Sequence, residues 1–150
     1  LAAAGLHRMG WGDQVTEYFS EHILVPAVGQ GALGIEARAN DSSALAILAA
    51  LEDPWARISA TAERALLRHL GGGCQIPIAA FTRRENGGMV LEAIVILPDG
   101  TALIQAKESS QTTTVEAAED LGQRTAENLL RQGAKQILES IAPANNVESP

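Results

Sequence analysis

The chain has 150 residues, a hydrophobic content of 46% and a formal net charge of −7 at pH 7. This length allows one domain or a small pair. The acidic balance argues against nucleic acid as a partner, because phosphate binding needs clustered Lys and Arg. No apolar run reaches the roughly 18 residues of a membrane span, and the start lacks the basic region of a secretory signal. The lone cysteine, Cys74, cannot form an internal disulfide and suits a reducing compartment.

The first residues predict the end of a helix over 1–9 that stops near Gly10. No residue of the usual capping types precedes this helix, so we expect the chain to be the C-terminal piece of a longer protein. A short helix is predicted over 13–19, with Asp13 as its cap.

The next stretch predicts two strand-like runs, residues 23–25 and 32–37, on either side of Pro26 and a glycine-rich flexible joint at 29–31. This arrangement indicates either a crossing between structural units or an ordinary loop. Asp41 or Ser42 should cap a short apolar helix that runs to Leu51.

A long helix is predicted to begin at Asp53 and Pro54, an N-cap residue followed by the proline that favours a first helical position. Apolar residues recur at helical spacing on one face, namely Ile58, Ala62, Ala65, Leu66 and Leu70. Gly71 lies where a helix takes a left-handed residue to end.

Three strands should follow, over 76–84, 89–97 and 101–107, joined by tight turns at Asn86-Gly87 and at 98–100. Short turns between neighbours predict an antiparallel meander. Thr113 and Glu116 fit a capping box that opens a helix with Val115, Ala118, Leu121, Leu129 and Leu130 on one side. Gly133 should interrupt this helix before a last one over 134–141. The fold class expected for 53–141 is therefore α+β, with helices covering one face of a small sheet.

Several kinds of catalytic or binding site find no support in the sequence. His7, His22 and His69 make no zinc-type pair, and a single cysteine cannot supply a thiolate cluster. The outline G-x-G-x-x-G at 29–34 is followed by a strand-like run, whereas a dinucleotide-binding loop leads into a helix. We therefore expect no metal site and no dinucleotide site.

Cys74 stands in a loop, directly after three glycines, between the long helix and the first strand. A free cysteine is commonly a small buried hydrophobe. Gly71 alone would end the helix, however, and backbone without side chains lets a bulky group approach closely. The thiol could therefore hold a covalent group, with Arg8, Arg64 or Arg68 as candidate sources of nearby positive charge.

The segment "GGGCQIPI" around Cys74 resembles the cofactor-attachment loop of the porphobilinogen deaminases, also called hydroxymethylbilane synthases. The segments "LAAAGLHRMG", "PAVGQGALGIEAR" and "TAERALLRHL" resemble neighbouring parts of that family in the same order. The resemblance implies an enzyme that joins four porphobilinogen molecules into hydroxymethylbilane with release of ammonia. It also implies a dipyrromethane cofactor, bound by a thioether to Cys74.

The resemblance further implies how the chain is divided. Residues 1–25 would end the second of two domains that resemble periplasmic binding proteins, and 26–51 would return through a hinge to the first. Residues 52–145 would form the cofactor-attachment domain, and 146–150 a disordered tail. Arg8, together with Gly5, would contact the cofactor and the carboxylates of the pyrroles. The catalytic aspartate of the family has no counterpart here, so no catalytic residue is assigned.

The implied partners are porphobilinogen as substrate and the missing N-terminal part of the same protein, with neither nucleic acid nor membrane. The expected location is the cytoplasm, or the plastid stroma if the source is a plant. The alternative hypothesis is a non-catalytic α+β module for ligand binding or regulation, in which Cys74 is buried and structural.

Overall fold

The computed structural model describes residues 1–71 and 77–141. Three strands form one antiparallel sheet in the order β1-β2-β3, and helices pack on one of its faces. In chain order the elements are α1 (Ala3–Arg8), a 3-10 turn (Gly12–Gln14), α2 (Ser42–Ala49), α3 (Pro54–His69), β1 (Ile78–Glu85), β2 (Gly88–Ile96), β3 (Leu103–Ser110), α4 (Val115–Arg131) and α5 (Ala134–Ile141). The predicted α+β class is confirmed. The resemblance to periplasmic binding proteins stays a prediction.

The long helix α3 begins as predicted, because the Asp53 carboxylate accepts hydrogen bonds from the backbone N–H groups of Trp55 and Ala56. Ala62 and Leu66 are completely buried, which confirms the predicted apolar face. The helix ends at His69, and Gly71 follows the cap residue Leu70 with a φ of +82°, a left-handed conformation that favours glycine.

The sheet follows the predicted meander. Asn86 and Gly87 both have positive φ, 51° and 80°, as a tight hairpin turn requires. β3 begins at Leu103, two residues after its predicted start, because the Asp99 carboxylate accepts hydrogen bonds from both the N–H and the hydroxyl of Thr101 and prolongs the turn. Along β3, Ala106 is buried while Leu103 is exposed, so the sheet has a packed face and a wetter one.

The cap of α4 differs from the prediction by one residue. Thr114, not Thr113, accepts the hydrogen bond from the Ala117 N–H, and alanine at the third helical position leaves no capping box with Glu116. Any of the threonines at 112–114 can cap a helix. The one that does so is set by the burial of Ala118 and Leu121 against the core.

Helices α3 and α4 pack closely where α4 carries Gly122. A Cβ atom on Gly122 would lie 2.3 Å from the carbonyl oxygen of Ala62 and 2.6 Å from the Cβ of Ala65. Small residues on both helices therefore permit the close approach, and the two helices form the layer that covers the sheet. α5 follows after Gly133, whose φ is +102°.

The region before α3 departs most from the predictions. The helix predicted over 13–19 is wrong: only the 3-10 turn forms, because Val15, Thr16, Tyr18 and Phe19 are β-branched or aromatic and favour extended backbone. The strand predicted over 32–37 pairs with no other described residue.

The side chains of this region are largely exposed, and α2 contains no buried residue. The predicted domain limits at 25, 51 and 145 stay predictions, and the predicted tail at 146–150 lies outside the described residues.

Candidate functional site

The predicted attachment residue, Cys74, lies outside the described residues, but both flanks of its loop are well placed. Leu70, at the end of α3, and Ile78, the first residue of β1, are both buried in the core. The described chain is therefore anchored in the core both before and after residues 72–76. The role predicted for Cys74 itself stays a prediction.

Arg68, the predicted source of positive charge that is nearest to Cys74 in the sequence, already forms a salt bridge. One terminal nitrogen of Arg68 donates to both carboxylate oxygens of Glu119 on α4, at 2.7 and 2.8 Å. This pair joins the last turn of α3 to α4 and offsets the charge of Arg68. The carboxyl end of α3 also presents its negative dipole toward the loop, which disfavours a thiolate there.

Arg8 and Gly5 lie on α1, three residues apart and therefore on the same side of the helix. Both are exposed, and no described acidic residue forms a salt bridge with Arg8. Apart from the nearby backbone of α1 itself, no heavy atom lies within 4 Å of where a Cβ on Gly5 would be, so this side of α1 is open to a ligand. These two residues fit a carboxylated group such as the implied cofactor. No hydrogen bond or salt bridge between described residues joins α1 to Gly71 or Pro77.

The structure also contains a buried carboxylate that is not among the site residues predicted from the sequence. Glu63, in the middle of α3, is only 7% exposed. One of its oxygens accepts from the Gly29 N–H at 2.8 Å, and the other accepts from the Thr82 N–H at 2.9 Å. Burial raises the pKa of Glu63 above its usual 4.5, although these bonds and the Thr82 hydroxyl act in the opposite direction.

Glu63 faces a segment that we call the docked turn, residues 26–31. The carbonyl of Pro26 accepts from the Ala80 N–H at 3.0 Å, and Ala27 forms an isolated bridge with Ala79. Val28 packs against the core. Gly29, within the predicted flexible joint, is thus hydrogen-bonded to α3, and Pro26, just before that joint, is hydrogen-bonded to β1.

The docked turn and Glu63 each accept a hydrogen bond from the free edge of the sheet. β1 is an edge strand, and Ala80 and Thr82, two residues apart, direct their N–H groups away from β2. The Pro26 carbonyl takes the first and the Glu63 carboxylate the second. An otherwise unpaired edge is covered in this way.

One signal in the sequence could have identified Glu63. It precedes Leu66 by three residues and Leu70 by seven, so it stands on the apolar face of α3. A lone carboxylate on a buried face needs hydrogen-bond donors from another segment. The sequence alone could not tell which segment supplies them.

Among the described residues, no helix is both long and apolar enough to cross a bilayer. The same residues contain no group of three His, Cys, Asp or Glu side chains that could hold a metal ion.

Comparisons with known proteins match nearly the whole chain. Residues 1–46, which include Gly5 and Arg8, match a family described as "Porphobilinogen deaminase, dipyromethane cofactor binding domain". Residues 57–131, which include Cys74 and Glu63, match "Porphobilinogen deaminase, C-terminal domain".

Curated relatives carry the same name. The chain is 44% identical over 142 residues to porphobilinogen deaminase of Chlorobium phaeobacteroides and 46% identical over 141 residues to that of Desulforudis audaxviator. It is 43% identical over 141 residues to the porphobilinogen deaminase of Yarrowia lipolytica. Each match covers 94% of the chain but only 42–45% of the relative. The chain therefore spans less than half the length of these relatives.

Proposed function

The chain belongs to the porphobilinogen deaminase family, and we propose that it supplies the cofactor-attachment part of an enzyme that joins four porphobilinogen molecules into hydroxymethylbilane. The observation that carries this proposal is the family match over both parts of the chain, with Cys74 inside the second part. The remaining length of the relatives would supply the catalytic aspartate and most of the basic residues that the net acidic chain lacks.

Cys74 is proposed to hold a dipyrromethane cofactor through a thioether. When bound, this group supplies the pyrrole carbon from which the product chain grows. Attachment would replace the S–H bond of Cys74 and the bond from carbon to the amino group of a pyrrole unit by the thioether, and the proton and the amino group would leave together as ammonia. Leu70 and Ile78, which precede and follow Cys74 in the chain, are both buried in the core, which supports attachment to this unit. A reducing compartment such as the cytoplasm, or the stroma in a plant, keeps the thiol available.

Arg8 is proposed to bind carboxylate groups of the cofactor or of the growing product. Its guanidinium is exposed and forms no salt bridge with described residues, and Gly5 leaves open space beside it. Guanidinium groups bind carboxylates through paired, charge-assisted hydrogen bonds. The chain's own contribution is therefore attachment by Cys74 and orientation by Arg8.

The test is mass spectrometry of the complete protein that carries these residues, after proteolysis. We expect a dipyrromethane on the peptide containing Cys74, and we expect Cys74→Ser to lose both this mass and porphobilinogen consumption. Normal consumption by Cys74→Ser would contradict the proposal. A bare thiol in an active wild-type protein would instead favour the alternative of a structural cysteine.

The same assay distinguishes the role of Arg8 in carboxylate binding from the role of Cys74 in covalent attachment. Arg8→Leu should keep the covalent group but lower porphobilinogen consumption by roughly ten- to a hundredfold, the loss expected for a hydrogen bond to a charged group. Arg131→Leu is the matched control, since Arg131 is also an exposed arginine in the last turn of a helix. Equal activity of the two variants would contradict the role proposed for Arg8.

A further inference from the structure

The contacts between the first 40 residues and the C-terminal unit, α3 to α5, are concentrated at one place. Within the described ranges, every hydrogen bond from residues 1–40 to α3 or the sheet comes from the docked turn. These are the bonds of Pro26 with Ala80 and of Gly29 with Glu63, together with the bridge between Ala27 and Ala79. The docked turn therefore acts as the joint between the two parts of the chain.

Among the described residues of the C-terminal unit, Glu63 is the one whose side chain forms a hydrogen bond with the docked turn. The contacts of Pro26 and Ala27 use backbone atoms, which a change of side chain leaves in place. The Glu63 carboxylate binds Gly29 with one oxygen and Thr82 with the other, so it connects the docked turn, α3 and β1 at once. Loss of this carboxylate leaves the turn with fewer anchors.

The carboxylate is also costly to bury. A charged group removed from water needs compensating partners, and an apolar side chain of similar volume in α3 would avoid that cost. Arg83 and Arg84 line the cleft beside Glu63, but neither forms a salt bridge with it, and Arg83 instead pairs with Glu85 and Glu92. The partners that compensate are the two N–H groups, one of which belongs to the docked turn.

We propose that Glu63 is a positioning residue, whose carboxylate fixes the docked turn against α3 and β1 and thereby sets how the preceding residues lie relative to the unit that carries Cys74. The inference deepens the proposed function, on which its catalytic consequence rests. Arg8 precedes the joint and Cys74 follows it. The two can face one ligand only when the joint holds a defined geometry.

The connection from Glu63 to the attachment loop is short and stiff. Glu63 and Leu70 belong to one continuous helical run, and both are buried. The salt bridge of Arg68 with Glu119 fixes the last turn of α3 to α4. We therefore expect a displacement at Glu63 to move the end of α3 and Gly71 with it.

Amide hydrogen exchange, followed by NMR on the 150-residue chain, tests the contact directly. Glutamine keeps one acceptor oxygen, so Glu63→Gln should speed exchange at Gly29 or at Thr82 by about tenfold or more. Glu63→Met keeps no acceptor and should speed exchange at both. Amides in the centre of β2 should keep their protection, and Glu119→Gln, on the neighbouring helix, should leave Gly29 unchanged.

Two outcomes of this measurement would overturn the inference. One is unchanged protection of Gly29 in both Glu63 variants. The other is an equal loss of protection at Gly29 and in β2, which would make Glu63 a general stabiliser rather than a positioning residue. If Glu63→Met does not fold, Glu63→Gln alone decides, because unchanged protection of both Gly29 and Thr82 in that variant would overturn the inference.

The complete protein tests the consequence for function. Glu63→Gln should retain the covalent group on Cys74 but consume porphobilinogen at least about tenfold more slowly. Full activity in a variant whose Gly29 amide has lost protection would overturn the positioning role. Hydrogen exchange needs no cofactor, so failure of the proposed function is recognised separately, by the absence of any pyrrole on Cys74.

Discussion

The side chain of Glu63 points into an interior in which its neighbours on α3 are alanine and leucine. Ala62, Ala65 and Leu66 surround it along the helix, and all are buried. Two backbone N–H groups stabilise the carboxylate, but burial outweighs them and raises its pKa. Glu63 therefore binds its proton more tightly in the folded chain than in the unfolded one.

This shift predicts how stability depends on pH. Because its pKa is raised in the folded state, Glu63 contributes to the free energy of unfolding at low pH. This contribution is complete below the usual pKa of 4.5 and is lost as pH rises through the folded-state pKa. The free energy of unfolding of the wild type minus that of Glu63→Gln should therefore fall with rising pH, by at most about 1.4 kcal/mol per pH unit. Urea unfolding of both proteins between pH 4 and pH 8 measures this difference.

Glu92, in β2, provides a control of opposite sign. Burial alone would raise the pKa of Glu92, but hydrogen bonds and charge from Arg83 and Lys107 outweigh it and lower the pKa. The contribution of Glu92 to the free energy of unfolding is therefore present above the usual glutamate pKa and is lost as pH falls through the lowered pKa of the folded state. For Glu92→Gln the same difference should rise with pH. A Glu63 difference that also rises would show that its hydrogen bonds outweigh its burial.

At the scale of elements, the contact between α3 and α4 depends on the missing side chain at Gly122. An alanine at an ordinary helical position is favoured over glycine by up to about 1 kcal/mol. At Gly122, however, the new methyl group would lie 2.3 Å from the Ala62 carbonyl oxygen, a backbone atom that cannot rotate away. The helices must then separate, and the packing of both against the sheet changes with them.

We therefore expect Gly122→Ala to lower the free energy of unfolding by about 1–3 kcal/mol, as overpacked cores do. Gln123→Ala is the matched control, because Gln123 is the next residue of the same helix and is exposed. Its effect should stay within about 0.5 kcal/mol. Urea unfolding monitored by circular dichroism compares the two, and a Gly122→Ala protein as stable as the wild type would contradict the close contact.

The elements that could be predicted are those whose signals are local. Asp53 with Pro54 set the start of α3, and Asn86 with Gly87 set the hairpin, because caps and tight turns depend on adjacent residues. The strand expected over 32–37 needs a partner strand. Its own residues could not show that no other described residue pairs with it.

The candidate site shows the same limit. The three glycines directly before Cys74 marked that residue, whereas Gly5 and Arg8 followed only from the resemblance of the first residues to the family. The bond from Glu63 to Gly29 spans 34 positions. A buried carboxylate could be suspected from the apolar face of α3, but its partner depends on the folded arrangement of the docked turn.

At the scale of the whole molecule, residues 52–141 contain the sheet and the helices that bury it. The core consists of residues from α3 to α5, apart from Val28, which packs at its edge. The earlier residues leave large apolar side chains exposed, among them Leu33 at 82% and Ile23 at 74%. The C-terminal unit should therefore be stable without them, whereas they should not be stable without a partner.

We expect residues 52–141, produced alone, to show one cooperative thermal transition by circular dichroism. The melting temperature should lie below that of the 150-residue chain, because Glu63 and the edge of β1 lose their partners in the docked turn. Residues 1–51 alone should show no cooperative transition. A non-cooperative melt of residues 52–141 would mean that the unit depends on the docked turn to fold.

The docked turn also has a consequence for the order of folding. The strands of the sheet are joined by tight turns, and pairings between residues close in sequence form quickly because little loop entropy opposes them. The bond from Gly29 to Glu63 closes a much longer loop and gains its full strength only after α3 and β1 have met. The core unit is therefore expected to form first and to capture the turn last. Slowing that final step would delay the functional arrangement without delaying the burial of the core.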